Sequence, residues 1–168
     1  ITAFARTLAR DATWRLVIAG PDSVGLRKDL EALASSLGIA DRITWTGMLK
    51  GAAKWGALAV SEVFVIPSHQ ENFGIVIVEA MASNLPVIVS DKVNIWREIE
   101  RCQAGLFCED SVDGAAASLA RWQAFSGEEI AALRLRSRQC FEELFNYDVT
   151  AKVVLEIVSQ IAHETRRR

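Results

Sequence analysis

Apolar residues in this chain fall in short runs set off by polar and glycine-containing breaks, and two periodicities alternate along it. Compact apolar runs over residues 15–19, 42–46, 63–66, 87–89 and 106–108 read as buried strands. Between them the apolar positions recur at helical spacing. Residues 1–9 carry Ile1, Phe4, Ala5 and Leu8 and read as the end of an amphipathic helix. Residues 26–37 place Leu26, Leu30, Leu33 and Leu37 on one face and stop at Gly38. Helices are also predicted over 52–59 and 74–83, and a short one capped by Asn94 runs to residue 99. Three more follow over 113–124, 128–144 and 148–162, with Ser126 and Asp148 as N-caps. Strands alternating with helices predict an α/β fold: a Rossmann-like parallel sheet with helices on both faces. One domain is expected over residues 1–168, with 148–168 as a C-terminal helix and tail, and the arginine run 166–168 as a solvated end.

Composition narrows the functional classes. Hydrophobic residues are 51% and charged residues 24%, enough apolar material for one real core. The formal net charge of −2 argues against a broad nucleic-acid surface, and the five tryptophans are not interleaved with basic residues as a stacking platform requires. No apolar run reaches the roughly 18–20 residues of a membrane span, which leaves only peripheral membrane association open. Cys102, Cys108 and Cys140 are odd in number and lack metal-site spacing, so they read as reduced thiols of a cytoplasmic protein. No metal is expected. The chain starts at Ile1 rather than Met, which reads as processing or excision from a longer protein.

Candidate chemistry concentrates in residues 67–90. Glu71 and Glu79 stand seven residues apart in an otherwise apolar run, and an unpaired carboxylate in such surroundings is costly. Gly74 lies between them, where a loop is predicted to turn into a helix. A helix N-terminus offers free N–H groups and partial positive charge, which suits phosphate. One carboxylate before that turn and one just inside the helix can grip hydroxyls on either side of a bound phosphate, an arrangement that fits a nucleotide-sugar. In open α/β sheets ligands bind beyond the carboxyl ends of the strands. The loops at 20–25, 47–54 and 67–74 qualify by position, and Lys54 and Leu49 belong to the second of these. His69 reads as a loop histidine without a catalytic role.

The residues also carry a resemblance. Glu71 and Glu79 with Phe73-Gly74 and Glu79-Ala80-Met81-Ala82 resemble the family 4 (group 1) retaining glycosyltransferases of the GT-B fold. Leu16 to Asp22 and Asp41 to Gly47 before this run, and Pro86-Val87-Ile88 and Ala104-Gly105-Leu106 after it, extend the likeness in order over nearly the whole chain. The resemblance implies the C-terminal, donor-binding half of such an enzyme, lacking its first strand and the cationic loop after it, with an N-terminal acceptor domain elsewhere. It implies that Glu79 accepts hydrogen bonds from ribose hydroxyls and that Glu71 faces the donor sugar near the reacting carbon, as the catalytic carboxylate. Phe73, Gly74, Ile75 and Val76 are implied to meet the diphosphate through their N–H groups, with Leu49 near the base and Lys54 near the diphosphate or ribose. The side chains of Ile75 and Val76 are expected in the core. The donor is a nucleoside-diphosphate sugar, and no cofactor is implied. Asn84 departs from the glycine usual two residues before the matching proline, and asparagine tolerates the positive φ such a turn uses. A non-catalytic nucleotide-sugar binding module and another GT-B enzyme, an epimerase or phosphorylase, stay open as alternatives.

Overall fold

The computed structural model of the chain describes residues 1–166, so the last two arginines of the tail lie outside the described residues. Five strands alternate with helices: α1 (Thr2–Arg6), β1 (Leu16–Ala19), α2 (Arg27–Ser36), β2 (Ile43–Gly47), α3 (Gly51–Val60), β3 (Phe64–Ile66), α4 (Ile75–Ala82), β4 (Val87–Ser90), α5 (Trp96–Arg101) and β5 (Gly105–Cys108). Three helices follow, α6 (Val112–Gln123), α7 (Gly127–Cys140) and α8 (Tyr147–Arg166). All strand pairings are parallel: β1 with β2, and β3 with β4 and β4 with β5. The α/β parallel architecture expected from the alternating periodicities is the one observed.

Strand period sorts the side chains into two cores. Leu16, Ile18, Ile43, Trp45, Val65, Ile88, Leu106 and Cys108 join Ala3, Phe4, Ala34 and Leu119 on one face, beneath α1, α2 and α6. Phe64, Ile66, Val87 and Val89 join Leu58, Ile77, Met81 and Ile99 on the other, beneath α3, α4 and α5. β4 is buried along its whole length, as its continuous apolar run requires. Gly105 belongs to this close packing, because a Cβ there would lie 2.0 Å from the Val87 carbonyl oxygen.

The β1-to-β2 connection uses the first face, whereas the β2-to-β3 and β3-to-β4 connections use the second. β1 and β2 form one hydrogen-bonded pair, and β3, β4 and β5 a separate three-stranded sheet.

Several local expectations are corrected. α5 begins at Trp96 with Ile95 as its N-cap and no side-chain cap, so Asn94 does not cap it; the Asn94 N–H is drawn instead to the Glu71 carbonyl, 3.0 Å away. Asp148 lies inside the first turn of α8, where its N–H donates to the Asn146 Oδ1 at 3.0 Å. The predicted helix 128–144 is interrupted: after Cys140 the ladder widens into a π-turn, Phe141–Phe145. The leucine face of α2 is only half covered, with Leu26 52% and Leu33 36% exposed, because the small Ala34 makes the core contact. The Ser126 cap is observed as a full capping box with Glu129, whose carboxylate accepts from the Ser126 N–H and is thereby held below its usual range. Asn84 adopts φ 57°, the conformation expected where glycine is usual.

Gly105→Ala is expected to lower unfolding stability by about 1–3 kcal/mol, the scale of overpacking against an immovable backbone. Gly56→Ala, within α3 and with nothing near the added carbon, is expected to raise it by up to about 1 kcal/mol through helix propensity. Urea unfolding of the two variants checks both signs.

Candidate functional site

Loop 67–74 leaves β3 and crosses the end of β4, and three tethers fix its path. The buried Ser90 hydroxyl donates to the Ser68 carbonyl. The Glu71 N–H donates to the Lys92 carbonyl at 3.3 Å and the Glu71 carbonyl accepts the Asn94 N–H at 3.0 Å, which together make an isolated parallel bridge of Glu71 with Val93. The loop closes at Gly74, where φ is 68° and ψ 62°, and α4 begins at the next residue. Only glycine suits this turn, since a Cβ would meet the Ile77 Cδ1 at 2.5 Å as well as the positive φ.

The two carboxylates sit on either side of that turn, as their spacing implied. Glu71 Oε1 accepts the Gly74 N–H at 3.1 Å, so in the free protein its charge rests against the positive end of α4. The first α4 bond runs from the Ile77 N–H to the Gly74 carbonyl at 2.7 Å, which leaves the Ile75 and Val76 N–H groups ahead of the helical ladder. Glu79, one turn on, is only 21% exposed, and its Oε1 accepts from the Lys54 ammonium. Lys54 also lies 4.8 Å from the centre of the Trp55 ring, a cation–π contact. The Lys54–Glu79 pair joins α3 to α4 and places the loops after β2 and β3 at one end of the molecule.

Other expected site residues fall as follows. Phe73 is 45% exposed and meets Phe145 edge to face at 6.0 Å. Leu49 is half-buried in the loop before α3, and Lys50 is exposed. Ile75 corrects the expectation of a core side chain: it is 66% exposed, and Val76 is only partly buried. The inward positions of α4 are taken by Ile77, Val78, Ala80 and Met81, so the first two residues point away from the core.

Sequence reasoning missed one feature at this edge. His69 Nδ1 lies 2.6 Å from Asp110 Oδ1, joining the loop after β3 to the segment after β5. Forty-one positions separate them, and no local pattern signals the pair. Nearby, burial raises the Cys108 thiol, with the Asp91 and Asp110 carboxylates adding to the shift. Among the described residues no cluster of His, Cys, Asp or Glu suits a metal ion, and no helix is long and apolar enough to cross a membrane.

Parallel strands flanked by helices, with a glycine turn, a helix N-terminus and two carboxylates at one end, form a Rossmann-like unit, and in open sheets of this class ligands lie beyond the carboxyl ends of the strands. Comparison with known proteins places it more closely. Residues 1–131 match the family described as glycosyl transferases group 1. A D-inositol 3-phosphate glycosyltransferase from Rhodococcus jostii is 34% identical over 114 residues, which are 65% of this chain and 25% of that protein. Among solved structures, an Anabaena protein in complex with UDP and glucose superposes with a TM-score of 0.79 at 19% identity, covering 94% of this chain and 44% of that one. The C-terminal domain of a group 1 family protein from Francisella tularensis superposes at 0.74 with 21% identity, over 87% of this chain and 77% of that one. The chain belongs to the group 1 glycosyltransferases and has the fold of the C-terminal half of a GT-B enzyme. It spans a quarter to a third of the length of curated relatives, 25% and 34% in two cases.

The Lys54–Glu79 pair is partly exposed, so Lys54→Met is expected to cost no more than about 1 kcal/mol of stability. A double-mutant cycle with Glu79→Gln, followed by urea unfolding, measures the pair. A coupling well above that value would mean the two groups are a structural clamp rather than a site held ready.

Proposed function

We propose that this chain is the donor-binding half of a retaining glycosyltransferase that moves a hexose from a nucleoside diphosphate to an acceptor hydroxyl. The observation that carries the reading is the gathering of Glu71, Glu79 and Lys54 around the N-terminal turn of α4. Glu79 binds the ribose hydroxyls. Its Oε1 is held by Lys54. Phe73, Gly74, Ile75 and Val76 offer N–H groups to the diphosphate, Lys54 adds positive charge, and Leu49 packs near the base. These dipoles and charges stabilise the leaving group as its negative charge grows. The reading needs no metal and no cofactor, with the nucleotide-sugar as substrate, and it places the reaction in the cytoplasm.

Glu71 has a second part in this scheme. In the free protein its carboxylate occupies the Gly74 N–H. A phosphate arriving at the same N–H repels it, because two anions do not share one donor without penalty. The displaced carboxylate is then free to turn toward the sugar, where it stabilises positive charge at the reacting carbon.

Acceptor recognition belongs to an N-terminal half of the same protein, and the remaining phosphate cations belong to the loop after a further first strand of this half. The split of the strands into a β1–β2 pair and a separate β3–β4–β5 sheet supports such a further strand. A further parallel strand from upstream of Ile1 fits between them and makes one continuous sheet. In a chain extended upstream, amide exchange in Leu16–Ala19 and Phe64–Ile66 is expected to slow at least tenfold relative to residues 1–168 alone. Unchanged exchange in both strands would remove the strand from this place.

The division of labour between the carboxylates is tested in the full-length enzyme by steady-state kinetics. Glu79→Ala is expected to raise the donor KM more than it lowers kcat, since ribose binding is present before and during reaction. Glu71→Gln keeps the size and removes the charge. It is expected to lower kcat about tenfold or more, roughly 1.4 kcal/mol, with a smaller effect on KM. Wild-type kcat for Glu71→Gln, together with no turnover for Glu79→Ala at saturating donor, would reverse the assignment.

A further inference from the structure

Cys102 follows the last residue of α5, and Cys140 is the last residue of α7. Both thiols are free; Cys140 is buried and Cys102 partly exposed. They belong to the same core on the second face of the sheet. The two helix ends are tied beside the pair: the Arg136 Nε, one turn before Cys140, donates to the Gln103 carbonyl, next to Cys102, at 2.9 Å. The Cys102 thiol is near enough to Cys140 to act on its ionisation. A disulfide requires the two sulfurs to close to about 2.05 Å.

We propose that Cys102 and Cys140 are a dithiol modification site, which a low-molecular-weight disulfide oxidises reversibly to an intrachain bridge between α5 and α7. The two cysteines play different parts. Burial pushes the Cys140 thiol well up, with the Cys102 contact and the Glu143 carboxylate adding to the shift, so it is the poorer first nucleophile. Cys102, nearer solvent, attacks the small disulfide as the thiolate. One sulfur bond forms, and the small molecule leaves as a thiolate. Cys140 then attacks the Cys102 sulfur of the mixed disulfide, gives its proton to solvent and releases the second small thiol. The two protein thiols lose two hydrogens, and the small disulfide is reduced to two thiols.

The bridge has a route to the ligand edge. Cys140 leads without a break into the π-turn Phe141–Phe145, and the Phe145 ring rests on Phe73, beside Gly74. Drawing Cys140 toward α5 shifts this turn and with it the seat of Phe73. Oxidation is therefore expected to weaken nucleotide binding, a consequence that rests on the donor-site reading above, whereas the bridge itself does not.

The test uses the full-length protein, treated natively with oxidised glutathione, then unfolded, alkylated and mapped by peptide mass spectrometry. A Cys102–Cys140 peptide pair is expected, lighter by two hydrogens than the reduced pair and restored by dithiothreitol, with Cys108 still alkylated. Cys102→Ser, at a partly exposed position, is expected to abolish it, and Cys108→Ser to leave it intact. Full alkylation of all three cysteines, a bridge to Cys108, or glutathione that stays on Cys102 would overturn the proposal. Calorimetry with UDP, GDP and ADP then compares the reduced and bridged forms, with at least a threefold loss of affinity expected on bridging. A mapped bridge with unchanged affinity overturns the coupling to Phe73. No binding by the reduced form counts against the donor-site reading and leaves the bridge standing.

Discussion

The left-handed turn at Gly74 is the constraint around which the edge carrying Glu71 and Glu79 is built. Its φ of 68° reverses loop 67–74 into α4 with no residue to spare. That reversal does three things at once. It aims the first N–H groups of α4 out of the protein, brings Glu71 back to cap the turn, and sets Glu79 one helical turn deeper. A side chain at Gly74 would press on Ile77, which is fully buried, so the turn and the core beneath it are fixed together. The loop cannot settle elsewhere either, because Ser90, Lys92 and Asn94, at and just after the end of β4, hold its backbone.

Charge at this edge is balanced within the free protein. Glu79 is matched by Lys54 and Glu71 by the helix N-terminus, so neither carboxylate is left alone in partly buried surroundings. Both partnerships use groups that also suit a nucleoside diphosphate: an ammonium and main-chain N–H donors. On the proposed donor-site reading, binding exchanges these partners rather than building new structure, and its ordering cost is correspondingly small.

Packing behind the edge is carried by α7, which starts on the first core with Leu133 and ends on the second with Cys140. It clasps the turn between α4 and β4 through the Ser137 hydroxyl, which donates to the Leu85 carbonyl at 2.9 Å, and Arg138, which donates to the Ala82 carbonyl at 2.5 Å. The π-turn that follows delivers Phe145 to Phe73. The helix that locks the back of α4 thus also touches the loop in front of it.

Strand and helix order, the Gly74 turn, the two carboxylates and the Ser126 cap were legible in the sequence because each rests on local rules: side-chain period, backbone freedom and capping chemistry within a few residues. The family likeness followed from the same residues in the same order. What the sequence left undecided depends on long-range contact. Whether Lys54 is a solvated helix lysine or the partner of Glu79 is settled by how α3 and α4 approach, across twenty-five positions. The His69–Asp110 and Cys102–Cys140 pairs, the exposure of Ile75 and the π-turn after Cys140 likewise arise only when distant elements compete for the same space. Local propensity determines which elements form. Which polar groups meet, and which apolar ones stay in water, is decided by the packing of those elements against each other.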